Sequence, residues 1–306
     1  MKEPAAESAY SGIPTFLRRP FTQDLAGIDV AVTGVPYDAS TSNRPGTRFG
    51  PRAIREASLL QTFDPPFGWE VDPLSELNIA DTGDAGFDYG LLQEAPTRIE
   101  RHIGRILDAG AAALTLGGDH FISYPVLRAH AERFGPMALL QFDAHTDCWA
   151  DDDRRRLDHG TMFKRAAEDG LIVPEKSVQV GIRTVNADPG EFNIIDADKV
   201  HLQGPAEVVA QIRTIVGDHR VYLTFDIDAL DPAYAPGTGT PVWGGLSSAQ
   251  AALILRRLAG INLIGMDVVE VSPPYDPTGA TAIAAASVAT ELICLWQCGT
   301  DHGRKA

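Results

Sequence analysis

The chain has 306 residues, 44% hydrophobic and 22% charged, and its 29 glycines and 21 prolines recur without period, so collagen-like, low-complexity and mostly disordered classes are excluded. Forty-one Asp and Glu against 26 Lys and Arg give a formal net charge of −15. That balance argues against general phosphate-backbone binding, and so against a nucleic-acid partner; it suits a cationic ligand, a metal or plain solubility.

Short β-rich apolar runs alternate with helical patterns along most of the chain. Ile28 to Val35 reads as a strand, followed by a helix over Pro51 to Leu60 with proline in its first turn. Leu77 to Ala80 is a short strand. Thr97 to Leu107 places Ile99, Ile103, Ile106 and Leu107 at helical spacing, with Gly110 as its stop. Then come a strand over Ala112 to Leu116, a helix over Tyr124 to Arg133, a strand over Met137 to Phe142 and a helix over Thr161 to Glu168. Ser177 to Ile182, Asn193 to Ile195 and Val221 to Ile227 read as strands, with a helix over Ala206 to Val216. Ser247 to Leu258 is a helix, Leu263 to Val271 a strand and Thr281 to Cys298 a last helix. The apolar stretch Ala280 to Trp296 is interrupted by Thr281, Ser287, Thr290 and Glu291, and reads as a buried helix, not a membrane span.

Repeated β-α-β order predicts an α/β fold, a mostly parallel sheet between two helical layers. No linker divides the chain, so residues 1–306 are expected to form a single domain, with 1–20 as an N-terminal extension and 299–306 as a tail. A closed barrel of eight units is the competing architecture. Cys148, Cys294 and Cys298 are odd in number and form no Cys-x-x-Cys pair, which disfavours a disulfide framework. The first twenty residues show no apolar signal core, so a cytoplasmic location is expected.

In either architecture, ligands gather at the carboxyl ends of the strands. Four predicted strands end in acids or histidine there. Ala112–Leu116 leads into Gly117-Gly118-Asp119-His120, and Met137–Phe142 into Asp143-Ala144-His145-Thr146-Asp147. Val221–Phe225 leads into Asp226-Ile227-Asp228, and Leu263–Val269 into Glu270. If extended geometry persists, Asp143 and His145 share one face, as do Asp226 and Asp228. Carboxylates crowded in this way repel unless a cation neutralises them. His120, Asp143, His145, Asp147, Asp226 and Asp228 make a set of four carboxylates and two imidazoles. Oxygen-rich ligation with some imidazole suits Mn²⁺ or a similar ion, and six side chains suit two ions better than one. Single acids such as Asp84 and Asp231 have no such support and read as caps or loop residues.

These runs resemble those of the ureohydrolases, the family of arginases and agmatinases, and are most similar to the agmatinase branch. The matching stretches include Gly117–His120, DAHTD at Asp143–Asp147, DHGTMF at Asp158–Phe163, VGIR at Val180–Arg183, TFDIDALDPAYAPGTGTP at Thr224–Pro241 and GMDVVEVSPPYD at Gly265–Asp276. The upstream run GVPYDASTSNRPGTRFGPRAIREAS at Gly34–Ser58 also matches. The resemblance implies an arginase-like αβα domain and a centre of two Mn²⁺ per subunit on the six residues above. It also implies a proton-carrying His159, a guanidinium-binding Glu270 and a substrate-facing Thr240.

The chemistry so implied is hydrolysis of a guanidinium group by a metal-bridging hydroxide. Glu270 would hold the guanidinium by paired hydrogen bonds, His159 would relay a proton to the departing amine, and Asp228 would assist. Arginases carry an Asn two residues after the last Asp of DAHTD; Trp149 stands there instead, which argues against arginine. Agmatine, a small cationic guanidino compound, is therefore the expected substrate, giving putrescine, a polyamine, and urea. A guanidino acid such as 4-guanidinobutyrate or 3-guanidinopropionate is the alternative. The loop Asp151–Arg156 carries three acids that would favour an ammonium tail and three arginines that, with Arg44, would favour a carboxylate. A deacetylase-like metal amidohydrolase is more distant, because it needs neither Glu270 nor the DAHTD spacing. A binding protein without activity would be expected to have lost ligands. The family resemblance further implies a homotrimer or homohexamer, and the interrupted apolar stretch Ala280 to Trp296 leaves no membrane partner expected. Ser11 to Arg19 is read as an exposed segment that could pack on a neighbour.

Overall fold

A computed structural model describes residues 10–61, 65–150 and 157–299. After a 3₁₀ turn at Phe16–Arg18 comes β1 (Val30–Val35), followed by α1 (Gly50–Ser58), α2 (Pro73–Glu76), β2 (Ile79–Asp84), α3 (Ala95–Asp108) and β3 (Ala112–Gly117). Then come α4 (Ser123–Phe134), β4 (Ala138–Phe142), α5 (Met162–Glu168), β5 (Val178–Val180), β6 (Asn193–Ile195), α6 (Ala197–Gln203) and α7 (Pro205–Val216). The chain closes with β7 (Val221–Asp226), α8 (Ser248–Arg257), β8 (Leu263–Val269) and α9 (Ala280–Gln297).

Among the described residues eight strands pair in parallel in the order β2-β1-β3-β8-β7-β4-β5-β6. The sheet is open, so the αβα layering holds and the closed barrel does not. β1, β3, β4, β7 and β8 are buried throughout. Their near-continuous apolar runs are what a strand covered on both faces requires. On one face Val32, Leu114, Phe142, Phe225 and Val268 pack beneath α1, α7, α8 and α9. On the other, Ala31, Ala113, Leu139 and Tyr222 pack beneath α3, α4 and α5. Phe142 and Phe225 are register partners and stack with centroids 5.2 Å apart. Truncating either buried ring to alanine would cost about 3–5 kcal/mol.

The strand order places the site. The chain begins at β1, fills one flank with β2 and β3, crosses to lay down β4, β5 and β6 on the other flank, and returns to fill the centre with β7 and β8. The four adjacent central strands β3, β8, β7 and β4 therefore end side by side. These are the four strands whose ends carry acids and histidine.

Two short helices have no sequence expectation. In α6 only Ala197 and Val200 are buried, too few to give a period; its start is fixed by Asp196, whose carboxylate accepts the Lys199 N–H at 2.8 Å. α2 is a single turn capped by Asp72. Among the described residues one helix, α9, is long and apolar enough to cross a bilayer, and 67% of it is buried inside the fold. It is apolar all round because it packs on the sheet, α1 and α8. Within the stretch expected to face a neighbour, Ser11 to Pro14 is exposed, but Phe16 and Leu17 are fully buried in their own chain. Their N–H groups donate to Asp81 Oδ2 and Ser58 Oγ, both at 2.8 Å, which ties the segment to β2 and α1. Cys148, Cys294 and Cys298 are free.

Candidate active site

His120 opens the turn after β3, with its ring buried and Nδ1 facing three carboxylates. Asp143 Oδ2 and Asp147 Oδ2 lie 3.0 Å from it and Asp226 Oδ2 lies 3.2 Å away. Nδ1 makes no hydrogen bond. The other ring nitrogen, Nε2, lies 2.8 Å from Thr224 Oγ1, whose hydroxyl donates to Asp267 Oδ1 at 2.5 Å. With its proton on Nε2, the ring turns a bare lone pair on Nδ1 toward the carboxylates.

A second group adjoins the first. His145 Nδ1 lies 3.4 Å from Asp143 Oδ1 and 3.1 Å from Asp228 Oδ2. Asp143 therefore offers one oxygen to each imidazole. All six residues singled out in the sequence come together, as the two groups His120–Asp143–Asp147 and Asp143–His145–Asp228 with Asp226 beside the first.

Extended alternation is not what brings them together. β4 stops at Phe142, and Asp143 Oδ1 accepts the His145 N–H two residues on, at 2.6 Å. Asp226 Oδ1 accepts the Asp228 N–H at 2.8 Å, and the chain enters a 3₁₀ turn. Each leading aspartate thus bends the main chain into a side-chain-closed turn. Asp147 (φ 51°) and Glu270 (φ 63°) hold left-handed backbone. Strain of this kind at non-glycine residues costs about 1–3 kcal/mol each and persists where surrounding structure fixes it.

Buried polar groups lock the turns. Gln141 Nε2 donates to Asp143 Oδ2 at 2.8 Å and to the His145 carbonyl at 3.1 Å, and Gln179 Nε2 donates to Gln141 Oε1 at 2.6 Å. The Arg183 guanidinium reaches the carbonyls of Asp228 (2.6 Å) and Val242 (2.7 Å), clasping the Asp228 turn. Asp228 Oδ1 accepts the Ala144 N–H at 3.0 Å. Sequence reading missed Gln141, Gln179, Thr224 and Asp267. Their signal was a polar side chain within a strand buried on both faces.

Electrostatically the cluster lacks positive charge. Burial first, then Asp228 and Asp143, hold Asp226 well above the usual carboxylate range. Burial and then Asp143 push Asp147 up to about 6. Burial opposes charge on His120, but its three carboxylate neighbours outweigh this and raise it. Two imidazoles turned toward four carboxylates, with one carboxylate shared, fit a pair of divalent cations.

Glu270 closes the opposite side. Its Oε1 accepts the His120 N–H at 2.8 Å and lies 3.1 Å from His159 Nδ1, while its buried Oε2 has no partner. One oxygen, not two, is therefore open, because the other is taken by the protein. A cleft of about 420 Å³ adjoins Glu270 through His159, lined by Ser42, His145, Asp147, Trp149, Asp158, His159 and Thr240 among others. Trp149 lies with its ring 6.2 Å from that of His145, and Thr240 Oγ1 donates to Asp228 Oδ2 at 3.3 Å. No Lys or Arg lines the cleft among the described residues. Arg44 instead rests over the Tyr275 ring. Asp231 serves as a cap for the Gly244 and Gly245 N–H groups, and Asp84 pairs with Arg55. The loop Asp151–Arg156 lies outside the described residues.

Comparison with known proteins bears on the same site. The family model described as the arginase family matches residues 28–294. An agmatinase of Chromobacterium violaceum is 52% identical over 291 residues, covering 94% of this chain and 90% of that protein. The crystal structure of a hypothetical agmatinase from Burkholderia thailandensis superposes with a TM-score of 0.94 at 51% identity, covering 97% of this chain and 96% of the other. Proclavaminate amidino hydrolase from Streptomyces clavuligerus does so with a TM-score of 0.88 at 38% identity, covering 95% and 99%.

Proposed function

The chain belongs to the arginase family and is an agmatinase-like ureohydrolase, and from this premise we propose that it hydrolyses agmatine to putrescine and urea with two Mn²⁺ held by His120, Asp143, His145, Asp147, Asp226 and Asp228. The observation that carries the reading is the paired geometry: two imidazole Nδ1 atoms, each turned to carboxylate oxygens, with Asp143 common to both. Bound there, two divalent cations supply a water acidic enough to attack as hydroxide near neutral pH.

The protein's own groups do the rest. Glu270 Oε2 accepts an N–H of the guanidinium and orients its carbon toward the acids, a charge-assisted bond. Oε1 stays fixed by the His120 N–H, so the carboxylate does not turn as the substrate enters. The charged His159 ring, whose Nδ1 lies 3.1 Å from Glu270 Oε1, gives up a proton to the departing amine nitrogen and is left neutral. Thr240 holds Asp228, and Arg183 holds the turn that carries it.

Agmatine is favoured over a guanidino acid because Asp158, outside the proposed metal set, lines the cleft while no Lys or Arg does so among the described residues, and Trp149 offers an aromatic face to an ammonium group. The named agmatinases of about half identity support the same choice. The reading includes a homotrimer or homohexamer and a cytoplasmic location. Comparing kcat/KM for agmatine, arginine, 4-guanidinobutyrate and 3-guanidinopropionate tests the substrate. Agmatine should lead by at least about tenfold, equivalent to about 1.4 kcal/mol. A lead for either guanidino acid would transfer the assignment to it.

A further inference from the structure

The loop between β1 and α1 crosses the mouth of the cleft and is tied down at several points. Asp38 Oδ2 accepts the Gly46 N–H at 2.9 Å, closing its base. The Ser40 N–H donates to buried Asp119 Oδ2 at 2.8 Å, and Asn43 Nδ2 donates to the Gly239 carbonyl at 3.0 Å. Gly46 has φ 138°, and a Cβ there would lie 2.9 Å from Ser272 Oγ and Pro274 Cγ, so the loop sits tightly on the segment after β8. Between these anchors stands Ser42, exposed to solvent.

Ser42 meets His159 twice. Its main-chain N–H donates to Nε2 at 3.0 Å, and its Oγ lies 2.8 Å from the same nitrogen. A main-chain N–H can only donate, so it satisfies the neutral ring, whose proton then sits on Nδ1 toward Glu270. A hydroxyl can accept, so Oγ satisfies the ring once Nε2 is protonated. One residue thus provides a partner for each protonation state at almost the same distance. A group that must gain and lose a proton in turnover keeps one orientation when each state has a partner.

We propose that Ser42 is a positioning residue for His159, fixing the ring with Nδ1 toward Glu270 and accepting from Nε2 when the ring is charged. The proposal rests on the assignment of His159 as the proton carrier. The charged groups facing His159 are Glu270 after β8, Asp147 after β4 and Asp119 after β3. Burial opposes its protonation, but Glu270, Asp147 and Asp119 outweigh burial and raise the ring to about 9. None of these groups is altered by a change at Ser42.

Ser42→Ala keeps the main-chain donor and removes only the acceptor. The charged ring then loses a partner, so its pKa falls. With agmatine and Mn²⁺, the limb of the kcat–pH profile that His159→Asn abolishes should move toward lower pH by about one unit. On the alkaline side of that limb kcat should fall by up to about tenfold with KM within twofold, and Ser42→Thr should restore both. An unchanged profile in Ser42→Ala, or a Ser42→Thr as impaired as the alanine variant, overturns the proposal. NMR titration of the His159 ring in protein loaded with diamagnetic Zn²⁺ gives a second readout independent of turnover. A downward shift of about one unit in Ser42→Ala supports the proposal, and no shift overturns it. Absence of turnover in the unmodified chain with every guanidino compound would instead defeat the functional reading, leaving the ring titration to decide Ser42's part.

Discussion

At the scale of single residues, His120 and His159 are held in opposite senses. Thr224 takes the Nε2 proton of His120 and leaves its Nδ1 lone pair for a cation, whereas Ser42 faces Nε2 of His159 and leaves the Nδ1 proton toward Glu270. The proposed roles follow from that difference, one ring as ligand and the other as proton carrier. His159→Asn should therefore lower kcat by about 10²–10⁴-fold, the usual range for a positioned acid or base, while elemental analysis still finds two ions per chain. Loss of an ion in that variant would place His159 in the metal set instead. The six cluster residues were legible because four unrelated stretches each ended a predicted strand in acid or histidine. The aspartate-closed turns at Asp143 and Asp226 were not, since a sequence shows the two-residue spacing but not whether the chain stays extended. Ser42 was not legible either. A serine in a polar loop carries no period, and only the crossing of its loop over the cleft gives it a partner.

At the scale of elements, the strands were read nearly to the residue where apolar runs were long, as in β1, β3, β4 and β7. The short α2 and α6 were not, because a cap and one or two buried residues define them. Helix α4 shows how a core element carries a titratable group outside the site. His130 Nδ1 donates to the Val126 carbonyl at 2.8 Å, and its ring packs edge-on to Tyr222, 5.0 Å between centroids. Gly265 lies so close that a Cβ there would sit 2.2 Å from His130 Nε2. Burial lowers this histidine to about 4 from 6.5, partly offset by the bond to Val126. Between those values the unfolded chain binds a proton that the native chain does not, so stability is full above about pH 6.5 and is lost as pH falls toward 4. From pH 7 to pH 5 this histidine alone should remove about 2 kcal/mol. In His130→Phe the unfolding free energy should fall by that much less over the same interval. Equal slopes would mean that His130 takes up its proton as readily in the native chain as in the unfolded one.

At the scale of the whole molecule, the central strands supply both the core and the site, so the stability of one depends on the other. Asp143, Asp147, Asp226, Asp228 and Glu270 bring five of the 41 acids into one buried pocket, with two imidazoles at its centre. Two divalent ions would contribute +4, bringing the formal charge from −15 to −11 and relieving repulsion where burial makes it strongest. Metal bound only to the folded chain stabilises it by about 2.7 kcal/mol per site at a hundredfold excess over Kd. Chelation should therefore lower Tm by several degrees and Mn²⁺ should restore it. In a double variant Asp143→Asn, Asp228→Asn the response should vanish; a Tm indifferent to chelator in the unmodified chain would mean that the cluster holds no structural cation.

The most direct test of the central claim is product analysis of the chain reconstituted with Mn²⁺ and supplied with agmatine. Urea and putrescine should appear in equal amounts, with two ions bound per chain, and both products should disappear on chelation and return with Mn²⁺. Two bound ions with no urea from agmatine, arginine, 4-guanidinobutyrate or 3-guanidinopropionate would contradict the account.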